Sequence, residues 1–170
     1  MPVSAVAATK HLAKNRGLAE MLICQSSVVG PLGADASDGA ITALQWGRAG
    51  SLTQGQLFDQ LSDEIGRYFA GDLKDFSVPL APRGSAFQQD FYQALCAIPY
   101  GETRTYGDLS KTLGVSAQAI GQACGANPIP ILIPCHRVLA ADGLGGYSGR
   151  GGIEAKVELL KLEGAAGLLI

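Results

Sequence analysis

The chain has 170 residues, 47% of them hydrophobic, and a formal net charge of −2. That is enough chain for one domain or two small ones with a real core, and no apolar run approaches the ~18 residues of a membrane helix, so membrane-spanning, collagen-like and disordered classes are set aside. The balance is six Lys and Arg against eight Asp and Glu in residues 1–80 and seven against seven in 81–170, which argues against strong non-specific nucleic-acid binding; any DNA contact must rest on few phosphates and on shape.

The N-terminus lacks a charged start followed by a continuous apolar core, so no export signal is expected. Cys24, Cys96, Cys124 and Cys135 show no paired short spacing. They fit a reduced, cytoplasmic compartment better than a disulfide framework. His11 and His136 are the only histidines and no Cys-x-x-Cys occurs, so no metal site is expected.

Residues 1–20 are Ala-rich and read as an extension, with a frayed helix over 7–20. From Met21 the pattern firms. Residues 22–26 and 41–46 are short apolar-rich strands, divided by turn residues at Gly30-Pro31 and Ser37-Asp38-Gly39. The spacing then becomes helical over 52–68, with Leu57, Phe58, Leu61, Ile65, Tyr68 and Phe69 on one stripe and Gly71 as the stop. Trp46 reads as core. Residues 80–84 read as a linker between a unit over 21–80 and a second over 85–164.

Ser85 and Gln88 predict a capping box for a helix running to about residue 97, with Phe87, Phe91, Leu95 and Ile98 inward and Cys96 in the core. Thr105 caps a short helix ending near Leu113-Gly114, and Ser116 caps a second through Cys124, a helix-turn-helix pattern. The second helix is built of small residues (Ala117, Ala119, Gly121, Ala123), with Gln118 and Gln122 as its polar reach. Two readings stand open: a helix packed inside the domain, or one that lets backbone approach a minor groove closely.

Residues 131–138 read Ile-Leu-Ile-Pro-Cys-His-Arg-Val. An apolar strand leads to Cys135, which is either a small core residue or a nucleophile that its neighbour His136 can activate. The glycine-rich loop 143–149 lacks a phosphate-loop ending and reads as a pocket wall, with Tyr147 and Ser148 able to touch a ligand. A last helix spans 153–163, with Ile153, Val157, Leu160 and Leu162 inward. Glu163 sits poorly for the helix dipole; it is either solvated or held by a partner such as His136.

Pro134-Cys135-His136-Arg137-Val138 resembles the active-site signature of the O6-alkylguanine-DNA alkyltransferases (methylated-DNA–protein-cysteine methyltransferases). Ile98-Pro99-Tyr100-Gly101-Glu102-Thr103, Thr105-Tyr106-Gly107, Gly125-Ala126-Asn127-Pro128, Gly146-Tyr147-Ser148-Gly149, Lys156, Leu159-Leu160 and Glu163-Gly164 resemble that family's blocks in order. The resemblance covers residues 85–164 and only loosely the first half. It implies an α+β fold: a small strand-and-helix, RNase H-like domain, then a mostly helical domain with a winged-helix-like helix-turn-helix and a buried cysteine.

It also implies single-turnover transfer of an alkyl group from O6-alkylguanine in DNA to Cys135, with O4-alkylthymine left open. The base would be flipped out through the minor groove. His136, acting through a water and backed by Glu163, would take the thiol proton. Asn127 would brace the active-site strand, and Tyr106 would rotate the nucleotide and donate toward the leaving guanine. Gln118, Val138, Tyr147, Ser148, Arg137 and Lys156 fall on the substrate and DNA side, Arg137 also pairing a carboxylate between the domains. No cofactor or metal, no membrane and a monomer are implied. One departure matters: Gln118 stands where the family carries an arginine that fills the gap left by the flipped base. This keeps a lesion-recognition protein with little transfer as an alternative. A Cys-His hydrolase is a third reading.

Overall fold

The computed structural model describes residues 21–26, 30–46, 55–147 and 152–165. The expectations for residues 1–20 and for Ser148 lie outside the described residues.

Three antiparallel strands, β1 (Met21–Ser26), β2 (Gly30–Ser37) and β3 (Ala40–Trp46), form a meander in that order. β1 and β3 fall where the apolar runs predict strands. The hairpin between β2 and β3 turns on Asp38 and Gly39, at φ 51° and 78°, the positive values a two-residue Asp-Gly loop needs. Gly30-Pro31 is not a turn, however. It begins the central strand, with Gly30 opposite Ser26. The sequence of β2, Gly-Pro-Leu-Gly-Ala-Asp-Ala-Ser, carries no strand pattern of its own, and hydrogen-bonded ladders on both sides hold it extended.

Helix α1 (Gln56–Phe69) starts after Gly55 rather than at 52 and ends before Gly71, at φ 80°. Phe58, Leu61, Ile65 and Tyr68 are its buried face, as the stripe predicts. Glu64 is buried as well: it accepts hydrogen bonds from the Ser77 and Val78 amides and from Gln60 and Ser77 side chains, which pins the following loop to the helix. The expected linker is no free tether. The Ile41 amide donates to the Pro79 carbonyl and the Ala81 amide to the Ile41 carbonyl, both at 2.8 Å, so the connection runs along the sheet edge.

Helix α2 (Ala86–Cys96) carries the Ser85/Gln88 capping box. Phe91, Tyr92 and Leu95 face inward while Cys96, the last residue of the helix, is exposed, against the core expectation. β4 (Arg104–Thr105) leads into α3 (Tyr106–Leu113), which Thr105 caps in a box with Asp108. Gly114, left-handed at φ 66°, ends α3, and Ser116 caps α4 (Ala117–Gly125). Ile120 and Ala123 anchor α4, and Ala117, Gln118, Gln122 and Gly125 are exposed. The helix is therefore not packed inside the domain; its small-residue face is open.

Residues 131–133 are not a strand but part of compact turns. Ile131 takes φ 75°, a strained value for a β-branched residue, and the Ile133 amide closes on the Ile129 carbonyl at 2.9 Å. Cys135–Arg137 form a 3-10 turn, and β5 (Val138–Leu139) pairs in parallel with β4. α5 (Gly152–Leu162) turns Ala155, Lys156, Leu159 and Leu160 inward and leaves Ile153 exposed, so the inward face is rotated from the expected one. The buried apolar side chains make one cluster from Leu32 in β2 to Leu159 in α5.

Candidate active site

Cys135 reaches its place through three successive turns. Asn127 grips them: its side-chain amide donates to the Ile133 carbonyl at 2.8 Å and its carbonyl oxygen accepts from the Ile129 amide at 3.1 Å. The Cys135 amide then donates to the Ile133 carbonyl and the Arg137 amide to the Pro134 carbonyl. The pairing of Arg104 with Val138 and Thr105 with Leu139 brings the start of α3, and so Tyr106, beside this turn. Gly145, at φ 69°, lies so close that a Cβ there would come within 2.9 Å of the Tyr106 ring.

Cys135 opens on a cavity of about 390 Å³ bordered by Tyr106, Gly121, Cys124, Gly125, Gly146 and Tyr147. That size holds a small aromatic ligand. α4 supplies Gly121, Cys124 and Gly125, so its open face forms the rim. Tyr147 packs edge-to-face on Trp46 with ring centroids 6.3 Å apart. The Tyr106 and Tyr147 phenols are pushed up by burial, with Cys124 and Cys135 adding to this at Tyr106 and Cys135 at Tyr147, and both stay protonated.

Behind Cys135 lies a buried ionic cluster. His136 Nε2 and Glu163 Oε1 are 2.8 Å apart with both side chains fully buried. Glu163 Oε1 also accepts from the Tyr68 hydroxyl at 2.7 Å and from Arg137 at 3.0 Å. Its Oε2 accepts from Arg137 Nε at 2.8 Å and from the Gly101 amide at 3.3 Å. Burial by itself raises the Glu163 pKa, but the hydrogen bonds from His136, Arg137 and Tyr68 outweigh it and hold the group at about 2. An ionised carboxylate only accepts, so the bonded His136 Nε2 carries the proton. That leaves Nδ1 as the basic nitrogen, buried and without a protein hydrogen-bond partner. Burial lowers the His136 pKa; Glu163 opposes this and the Arg137 and Lys156 charges add to it. Burial raises that of Cys135, against a hydrogen bond from Asn127 and the charge of Lys156. The resting pair is a thiol beside a neutral imidazole with a free base nitrogen.

The structure thus brings Cys135, His136, Glu163, Asn127, Tyr106 and Tyr147 together. It does not place Arg137 and Lys156 on the DNA side. Arg137 is 6% exposed and spends its donors on Glu163 and the Ile98 carbonyl. Its carboxylate partner lies in the second unit, and it is Tyr68 that reaches that carboxylate from the first. Lys156 is fully buried, donating to the Val138, Leu144 and Gly146 carbonyls. Val138 is fully buried, with its carbonyl held by Lys156, and is not among the residues around the cavity. Cys124 and Tyr68 join the site without a sequence signal that points to it. Cys124 carries no motif, and Tyr68 lies 95 residues from Glu163 with only its place on an apolar stripe to mark it. Among the described residues no three His, Cys, Asp or Glu side chains converge as metal ligands.

Fold and site together define a class: an α+β protein in which a helix-turn-helix walls the pocket of a buried, histidine-backed cysteine. Residues 21–82 match the family model of the 6-O-methylguanine DNA methyltransferase ribonuclease-like domain, and residues 86–165 that of the DNA-binding domain of the same enzymes. A Mycobacterium leprae methylated-DNA–protein-cysteine methyltransferase is 41% identical over 155 residues, 84% of this chain and 93% of that protein. One from Methanosarcina acetivorans is 49% identical over 113 residues, 65% of this chain and 71% of that protein. The crystal structure of Mycobacterium tuberculosis OGT in complex with DNA superposes with a TM-score of 0.74 at 40% identity, over 85% of this chain and 92% of that one. This chain belongs to the O6-alkylguanine-DNA alkyltransferase (methylated-DNA–protein-cysteine methyltransferase) family.

Proposed function

We propose that this protein repairs alkylated DNA by moving the alkyl group of O6-alkylguanine irreversibly onto Cys135. The observation that carries this reading is that Cys135 opens on the pocket while the adjacent His136 has its Nε2–H held by Glu163. The other ring nitrogen, without a protein partner, is the base.

The flipped guanine enters the cavity between Tyr106, Tyr147 and the α4 rim. The Cys135 thiol proton passes through one water to His136 Nδ1, and the resulting imidazolium is stabilised by Glu163. Cys135 Sγ bonds to the alkyl carbon as the carbon–O6 bond breaks in line. The electron pair leaves with the guanine, which takes a proton from the Tyr106 hydroxyl, replenished from solvent. The thioether is stable, so each molecule acts once. Asn127 holds the turn that aims Cys135. Val138, Arg137 and Lys156 hold the pocket walls from behind, and Ser148 belongs to the same glycine-rich loop.

DNA is the partner. The small-residue face of α4 suits close backbone approach in the minor groove, with Gln118 entering the space vacated by the base, and the protein acts as a monomer. Among the described residues no helix is long and apolar enough to cross a membrane. The relatives above are named as methyltransferases, and nothing in the site favours recognition without transfer.

Incubation with an oligonucleotide containing O6-methylguanine should add one methyl mass to the peptide bearing Cys135, and none in Cys135→Ser. Folded protein that binds the oligonucleotide yet gains no adduct would overturn the reading.

A further inference from the structure

We propose that Tyr68, on α1 of the strand-and-helix unit, is a positioning residue for the transfer relay: its hydroxyl fixes Glu163 Oε1 beneath His136 Nε2. The proposal rests on the reading of Cys135, His136 and Glu163 as that relay.

The geometry singles this hydroxyl out. Tyr68 is fully buried, and its oxygen lies 2.7 Å from Glu163 Oε1. That is the same oxygen, not its partner, that accepts from His136. The phenol is pushed far above its usual range by burial, the Glu163 charge and the hydrogen bond to it, so it can only donate there. The ring is clamped, with centroids 5.4 Å from Phe69, 5.2 Å from Phe76 and 6.1 Å from Tyr100. The hydroxyl is therefore delivered at a set point rather than by a free side chain. Arg137 grips both carboxylate oxygens and the Gly101 amide holds Oε2. Tyr68, approaching from α1, is the donor that the strand-and-helix unit adds at Oε1.

The charged and titratable groups around His136 are few. Cys135 and Arg137 come from its own turn, Lys156 from α5, Glu163 from just beyond α5 and Tyr68 from α1, with Tyr100 facing Glu163 behind them. Three donors now share Oε1. Removing one leaves more of the carboxylate's charge for the His136 N–H, and so favours imidazolium.

The test is Tyr68→Phe, which keeps the ring and its packing and deletes the donor. The chain has two histidines, so a His11→Ala background leaves His136 as the sole imidazole to be followed by NMR titration. In Tyr68→Phe the His136 titration should move to higher pH, the acid limb of methyl transfer should move with it, and transfer at neutral pH should slow several-fold with DNA binding unchanged. An unmoved His136 titration overturns the proposal, including the case where only the melting temperature falls. The two readings separate cleanly. Absence of transfer in the wild-type protein sinks the proposed function, while the His136 titration reports on Tyr68 either way.

Discussion

Lys156 shows how far a residue's type can mislead about its place. The family resemblance puts it on the substrate and DNA side, and lysines are rarely buried. Here its ammonium is wholly enclosed, and its three donors match three carbonyls, at 2.6, 2.6 and 3.1 Å, contributed by β5 and the pocket loop. It therefore ties the Gly146 wall to the turn carrying Cys135, and its charge favours the thiolate. Lys156→Met keeps most of the stem and removes charge and donors together. Leaving those carbonyls unpaired should cost about 2–4 kcal/mol, and the Cys135 thiol should titrate at higher pH. Urea denaturation and the pH dependence of Cys135 alkylation by iodoacetamide check the two effects. A variant as stable and as reactive as the parent would show that the enclosed charge does neither. By contrast, Cys135, His136 and Glu163 were legible, since adjacency marks the first two and an acid at a helix C-terminus needs a reason. Tyr68 was not, because periodicity reports which face is buried and not what a hydroxyl touches across the core.

At the scale of elements, legibility follows how local the determinants are. α2, α3 and α4 begin at Ser85, Thr105 and Ser116, whose side chains each accept from a backbone amide three residues on. Such signals lie within one turn and can be read directly. The apolar run before Cys135 is different: hydrophobicity says buried but not extended, and Asn127 folds it into turns. α4 is where sequence and structure pose a testable question. Gln118 is exposed in its first turn, on the open face with Ala117 and Gln122. A glutamine can hydrogen-bond an orphaned base, yet it brings neither charge nor a stacking plane. Gln118→Arg should speed transfer from duplex DNA several-fold, leave single-stranded substrate little changed, and steepen the salt dependence of duplex binding by about one counterion. Single-turnover rates on matched substrates decide it; an unchanged or slower duplex rate refutes this account of Gln118.

Across the whole molecule, the residues between 80 and 84 read as a boundary, and composition could not show otherwise. Yet the chain crosses it at several points. The Leu44 amide donates to the Pro128 carbonyl at 2.8 Å, Trp46 meets Tyr147, and Tyr68 meets Glu163. Such contacts depend on residues far apart in sequence, so patterns within a window cannot reveal them. They also link the catalytic cluster to global stability. In the folded chain Glu163 is held at about 2 against its ordinary 4.5, and Glu64 is held below its ordinary value too, its hydrogen bonds from Ser77 and Gln60 outweighing its burial. His136 is depressed below its ordinary 6.5, chiefly by burial. In each case the unfolded chain binds protons more readily, so stability falls as pH falls. The His136 contribution is complete above about pH 6.5 and shrinks as pH drops toward its folded value. The carboxylate contributions are complete above about pH 4.5; that of Glu163 is lost as pH approaches 2, and that of Glu64 as pH falls through its own lowered value. For Glu163 the shift corresponds to roughly 3 kcal/mol. Urea midpoints measured from pH 8 to pH 3 should hold level at first, decline below about 6.5 and steepen below about 4.5. Glu163→Gln should begin less stable at neutral pH and lose less on acidification, since the group whose protonation opposes folding is gone. A parent curve that stays flat to pH 3, or a variant that falls in parallel with it, would mean that this buried cluster does not govern the acid response of the fold.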